Sequence, residues 1–166
     1  MSRFRSQVRE AINRNTFISL ALEQGYNVFL PVYDDGVDFI LHHERKNETR
    51  KVQLKGRWTI DRKYVDRDIW IAFPIGEEWY LMPHDQMVIS AEAGVTNSKS
   101  WVEGGLYSRP KPSAATIAAC AQYRFRLPSE DAAELAGSTF EDRLTWKEGD
   151  LEFISVGTGK PRSDQD

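Results

Sequence analysis

With 166 residues, 40% of them hydrophobic and 28% charged, the chain fits one soluble globular domain, or one domain with an appendage, and is large enough for a real core. A formal net charge of −3 argues against a general polyanion-coating protein. The single cysteine, Cys120, excludes an internal disulfide and fits a reducing compartment, and no apolar run reaches the about 20 residues of a membrane span. Charges stand near the N-terminus where a secretory segment would be apolar, so the expected location is the cytoplasm.

In chain order, Val8 to Gln24 reads as an amphipathic helix. Val8, Ala11, Ile12, Ile18 and Leu22 form its apolar stripe, and Gly25 is a natural stop at the C′ position. Arg3, Arg5, Arg9 and Arg14 lie in or just before it, and Asn15 falls on the stripe, where a satisfied polar group at a core edge is the commoner role. Tyr26 to Val32 reads as a strand that Pro31 brings to a sheet edge or bend. The run Asp34-Asp35-Gly36-Val37-Asp38 is turn-like. It leads into an apolar strand (Phe39, Ile40, Leu41), a polar hairpin and a second strand over Lys51–Leu54. Arg57 to Asp66 is polar and reads as loop. Asp68 to Pro74 is nearly continuous in apolar residues and reads as a strand buried on both faces; Gly76-Glu77-Glu78 turns it into a further strand over Trp79–Pro83.

Beyond Pro83 the pattern is weaker. Asn97 to Ser113, with Gly104, Gly105, Pro110 and Pro112, reads as loop, and Ser113 caps a short helix running to Cys120. Ser129 with Glu130 and Asp131 starts an acidic helix towards Ala136, a further helical piece covers Phe140 to Trp146, and Gly157 to Asp166 reads as a disordered tail. A helix followed by about five strands is an α+β pattern around a mixed or antiparallel sheet. The expected organisation is a core over 1–90, a helical and loop extension over 91–156 packed on the same domain, and a tail over 157–166.

Chemistry is suggested in one place. Residues i and i+2 of a strand share a face, so Gln53 and Lys55 project together while Val52 and Leu54 turn to the core, and Asp38 sits on the neighbouring strand. A carboxylate and an amide oxygen can hold a hard cation such as Mg²⁺, and a lysine beside them can orient a water or offset charge on a phosphate. The plainer alternatives are a turn aspartate and an exposed strand face. Charge is unevenly spread: His42–Arg67 holds nine Lys/Arg against four Asp/Glu, whereas Pro128–Asp166 holds ten acids against four bases. A local basic surface beside such a site suits a phosphate backbone.

These residues resemble the PD-(D/E)xK nuclease superfamily, the restriction-endonuclease-like fold, over roughly Val8 to Val88. Gly36-Val37-Asp38 is similar to the strand that carries the family aspartate, and Gln53-Leu54-Lys55 occupies its acid-x-Lys triplet. The resemblance implies a restriction-endonuclease-like mixed sheet with flanking helices and hydrolysis of phosphodiester bonds, in DNA on this reading. Asp38, Gln53 and Lys55 would be catalytic, and Mg²⁺ or Mn²⁺ would be held by Asp38, Gln53 and the Leu54 carbonyl. Arg57, Arg62 and Lys63 would grip the nucleic acid, with no membrane partner. Enzymes that cut both strands are often symmetric dimers, which makes a homodimer an expected arrangement.

Two departures bear on turnover. Gln53 replaces an acid, so metal affinity falls unless another ligand compensates. The acid that the family often carries on its first helix has Asn15 at the best position by spacing from Gly25, with Glu10 a turn or more too early. The alternative function is therefore a catalytically inactive nuclease-like fold that binds nucleic acid or assembles with protein. Other candidates are weaker. His42 and His43 are adjacent on a strand and point to opposite faces, so they do not share an ion. Cys120 lies in an Ala-rich helical stretch with no histidine nearby. Trp101 to Tyr107 could stack on a base, although a packed loop over the sheet is the commoner role.

Overall fold

A 21-residue helix, α1 (Arg3–Glu23), opens the chain and ends where expected. Gly25 adopts φ +83° and donates to Leu22 O at 2.9 Å, while Tyr26 N–H reaches back to Ala21 O at 3.0 Å, which is a Schellman closure. The buried face differs from the expected stripe. Phe17 and Ala21 are fully buried, whereas Val8, Ile12 and Leu22 are 42%, 58% and 55% exposed. A single large aromatic decides this: the Phe17 ring lies 5.9, 5.5 and 5.1 Å from the rings of Phe39, Trp79 and Phe125, and burial on that scale stabilises by about 3–5 kcal/mol. The more numerous small aliphatic side chains on another face are outweighed.

The computed structural model describes residues 3–33 and 35–126, which belong to one compact unit. The expected helices from Ser129 and over 140–146, and the tail over 157–166, lie outside the described residues.

A six-stranded mixed sheet forms the centre, as expected for the α+β class. Its strands are β1 (Asn27–Phe29), β2 (Phe39–His43), β3 (Glu48–Leu54), β5 (Ile69–Ile75), β6 (Glu78–Pro83) and β8 (Arg124–Phe125), in the order β1-β2-β3-β5-β6-β8. All neighbours are antiparallel except β3 and β5. A parallel step needs a crossover, and here it contains β4 (Trp58–Asp61) and a 3₁₀ turn (Arg62–Tyr64). Helices α2 (His84–Ile89), α3 (Ala93–Thr96), α4 (Lys99–Gly104) and α5 (Ala114–Cys120) follow β6, with Ser113 capping α5 as expected through Thr116 N–H at 3.2 Å.

The run Arg57–Asp66 is therefore not loop. β4 is buried at all four positions and pairs antiparallel with β7 (Leu106–Arg109), which lies with α4 inside the other segment read as loop, Asn97–Ser113. Its polar members are satisfied internally, which is why they tolerate burial: Thr59 Oγ1 meets Ser108 Oγ at 2.9 Å, and the Asp61 carboxylate accepts from Lys63 N–H at 3.2 Å.

Both faces of the sheet are covered. Ile69, Ile71, Phe73, Tyr80 and Met82 join Trp58, Ile60 and Tyr64 on one side, while Ala72, Trp79 and Leu81 join Phe17, Phe39, Leu41 and Val52 on the other. β5 is thus buried on both faces, as its continuous apolar run implied. Among the described residues no helix is long and apolar enough to cross a membrane.

Candidate functional site

The β2–β3 hairpin is what brings the candidate residues together. Its register sets Phe39 opposite Val52, and Asp38 N–H donates to Val52 O at 2.8 Å, so Asp38 stands beside the end of β3. Its Oδ2 accepts from Leu54 N–H at 2.7 Å and from Gln53 Nε2. The same Gln53 nitrogen donates to Leu54 O at 3.3 Å. The Gln53 carbonyl oxygen accepts from the Tyr64 hydroxyl at 3.0 Å, and that hydroxyl accepts from Lys55 Nζ at 3.3 Å. Asp38, Gln53 and Lys55 are thus linked in one hydrogen-bonded chain through Tyr64, with Gln53 only 8% exposed.

This chain opens on a cleft of about 690 Å³. One wall is Asp38, Gln53, Leu54, Lys55, Gly56, Arg57 and Thr59; the other is α1, through Arg5, Ser6, Arg9, Glu10, Asn13 and Arg14. Five cationic side chains against two carboxylates give it a net positive lining, which favours anions. Glu10 is the residue that spacing from Gly25 misplaced. It faces the cleft, whereas Asn15 is exposed and does not line it. Counting back from the true core face at Ala21 and Phe17 in helical steps leads to Arg14, Asn13 and Glu10, so the signal was present once the anchor was known.

Of the three expected basic grips, only Arg57 lines the cleft. Arg62 donates to Trp101 O at 2.8 Å and to Val102 O at 3.3 Å, and its guanidinium lies 5.5 Å from the Trp101 ring, so it ties down α4. Lys63 Nζ lies 3.4 Å from Asp61 Oδ2. The sequence missed Arg5, Arg9 and Arg14 as cleft residues, because α1 was phased on the wrong stripe, and missed Tyr64 because most of the run around it, from Asp61 to Asp68, is charged. Trp101 is 9% exposed within the core and offers no stacking face.

A scan against protein-family models and a search of curated proteins returned no match. Among solved structures the chain is similar to a bacterial homing endonuclease, I-Ssp6803I. The identity is 17%, the TM-score 0.44, and the likeness covers 78% of this chain and 94% of that one.

Among the described residues no three His, Cys, Asp or Glu side chains gather closely enough to hold a metal ion. Cation ligands at the cleft would therefore have to include neutral oxygens. The Leu54 carbonyl supplies one, and it converges with the Asp38 carboxylate oxygen Oδ2, since both accept from one Gln53 nitrogen. Such a pair would make a donor set of the kind hard divalent cations take only if a turned Gln53 amide and the Glu10 carboxylate on the facing wall joined it.

The remaining titratable groups belong to the fold. Burial pushes the Cys120 thiol up to about 11, which removes it as a nucleophile near neutral pH. His43 is buried against Tyr26, with ring centroids 5.1 Å apart, and burial lowers its pKa; His42 Nδ1 lies 3.0 Å from Thr49 Oγ1.

Proposed function

We propose that the chain is a metal-dependent endonuclease that hydrolyses phosphodiester bonds of DNA, using the restriction-endonuclease-like arrangement that its sequence resembles. One observation carries the reading. Asp38 Oδ2 and Leu54 O converge on a single positively polarised group, the Gln53 amide nitrogen, at the mouth of an arginine-lined cleft. The order of elements supports it: a first helix with Glu10 on the cleft, a hairpin carrying Asp38 and Gln53-Leu54-Lys55, and a parallel neighbour strand β5.

On this reading Asp38, the Leu54 carbonyl and the Gln53 carbonyl oxygen, with Glu10 opposite, would hold Mg²⁺ or Mn²⁺. When bound, such an ion polarises a phosphate and lowers the pKa of water. Lys55 holds its ammonium at the cleft by hydrogen bonding to Tyr64, where it orients a water or offsets charge on the phosphate. Arg5, Arg9, Arg14 and Arg57 neutralise the backbone on either side and contribute a salt-dependent, largely sequence-independent affinity. Cutting both strands calls for two such sites, which a symmetric dimer supplies.

The test is cleavage of supercoiled, linear and branched DNA with Mg²⁺ present or chelated. Activity should require the cation and fall by about 100-fold or more in Asp38→Ala and Lys55→Ala. Equal turnover by wild type and Lys55→Ala would overturn the assignment. A second reading is favoured by the orientation of Gln53, which presents nitrogen rather than oxygen to Asp38: a fold that retains the cleft and binds nucleic acid without cutting it. DNA binding that survives chelation, with no cleavage of any substrate, selects that reading.

A further inference from the structure

We infer that Tyr64 is a positioning residue whose hydroxyl fixes which end of the Gln53 amide faces Asp38, and so gates cation binding at the cleft. This deepens the metal-dependent reading above and rests on it. Tyr64 is 2% exposed, and its hydroxyl touches both polar members of the triplet: it donates to Gln53 Oε1 and accepts from Lys55 Nζ, with the Lys63 ammonium also interacting with it. Its ring has little room to move. His84 meets it edge-on with centroids 5.6 Å apart, and Gly36 lies so close that an added Cβ would sit 2.9 Å from Tyr64 Cε1.

With Oε1 held by the phenol, the amide nitrogen is delivered to Asp38 Oδ2 and Leu54 O. Its two N–H groups then occupy the point where those oxygens converge, and an amide nitrogen has no lone pair to offer a metal. Gln53 must turn over before its oxygen faces that point. After turning, Nε2 donates to the Tyr64 oxygen, which already accepts from Lys55, and the Tyr64 O–H loses its acceptor in a buried setting. A buried donor without a partner is unfavourable, so the hydroxyl biases Gln53 towards the orientation that excludes a cation. Phenylalanine would keep the ring and remove the bias.

The test combines calorimetric titration of Mg²⁺ and Mn²⁺ with nuclear magnetic resonance of the Gln53 side-chain amide in metal-free protein. Wild type should show a shifted, exchange-protected Gln53 amide pair. Tyr64→Phe should lose that protection and bind Mg²⁺ about 10-fold more tightly, the order of factor one unpartnered buried donor represents. Gln53→Glu should also bind more tightly, with no further gain when Tyr64→Phe is added. Equal or weaker binding by Tyr64→Phe with unchanged Gln53 resonances would overturn the inference, as would an unprotected Gln53 amide in wild type, which needs no variant to fold. Binding in no variant, or binding that Asp38→Ala does not affect, instead removes the metal reading. The Gln53 resonances then decide the orienting role of Tyr64 alone: a loss of protection in Tyr64→Phe supports it, and no change overturns it.

Discussion

At the scale of single residues, close approach at one glycine holds the site in shape. Gly36 adopts φ +78°, where an L side chain is strained, and it packs directly on the Tyr64 ring. Gly36→Ala should therefore cost about 1–3 kcal/mol, readable as a shift in the urea midpoint. A loss of only a few tenths would show that the turn before Asp38 adapts freely. Asp38, Gln53 and Lys55 were legible in the sequence because strand alternation is a local rule and their partners are near in the chain. Tyr64 was not. It lies between Lys63 and Val65 in a segment whose burial depends on β7, far along the sequence, so nothing nearby marks it as a residue of the core.

Among the elements, α1 shows how one aromatic outweighs a longer stripe of aliphatics. Its fold type and its stop at Gly25 were readable, but the rotation of the helix about its axis was not, because that was set by Phe17 meeting Phe39, Trp79 and Phe125 on strands distant in sequence. The rotation shapes the cleft, since it turns Arg5, Arg9 and Glu10 to it. If those arginines contact phosphates, Arg5→Ala with Arg9→Ala should lower the slope of log affinity for duplex DNA against log salt by about 2, with little change in sequence preference. Unaltered slopes would place the nucleic acid elsewhere. The β4–β7 ribbon was illegible for a related reason: a four-residue strand with Thr59 and Asp61 in it resembles loop until their internal hydrogen bonds are known.

For the molecule as a whole, buried histidines tie stability to pH. His84 is fully buried and its Nε2 accepts from Asp61 N–H at 3.1 Å, a bond available only to the neutral ring. Burial lowers its pKa, and burial lowers that of His43 as well. Below an unfolded value of about 6.5 the unfolded chain takes up protons that the folded chain refuses, so stability should be level close to pH 7.5 and fall on acidification below about pH 6.5. Thermal unfolding followed from pH 7.5 to 5.5 checks this: the decline should be shallower in His84→Gln, and an identical slope would assign the loss to other groups. The class of fold was legible because β5 and β6 announce a sheet covered on both sides. The pairing that closes the far face was not, because it joins segments rich in glycine, proline and charge.

The packing of α1 is lopsided along its length: its fully buried side chains, Phe17 and Ala21, lie towards its C-terminal end, while its first turns stand against the cleft with Phe4 and Ile12 open to solvent. It works as a beam clamped at one end. An anion bridging Arg9 and Arg57 would brace the less buried end, so that on the nuclease reading capture of a strand and stiffening of the wall would be one event rather than two.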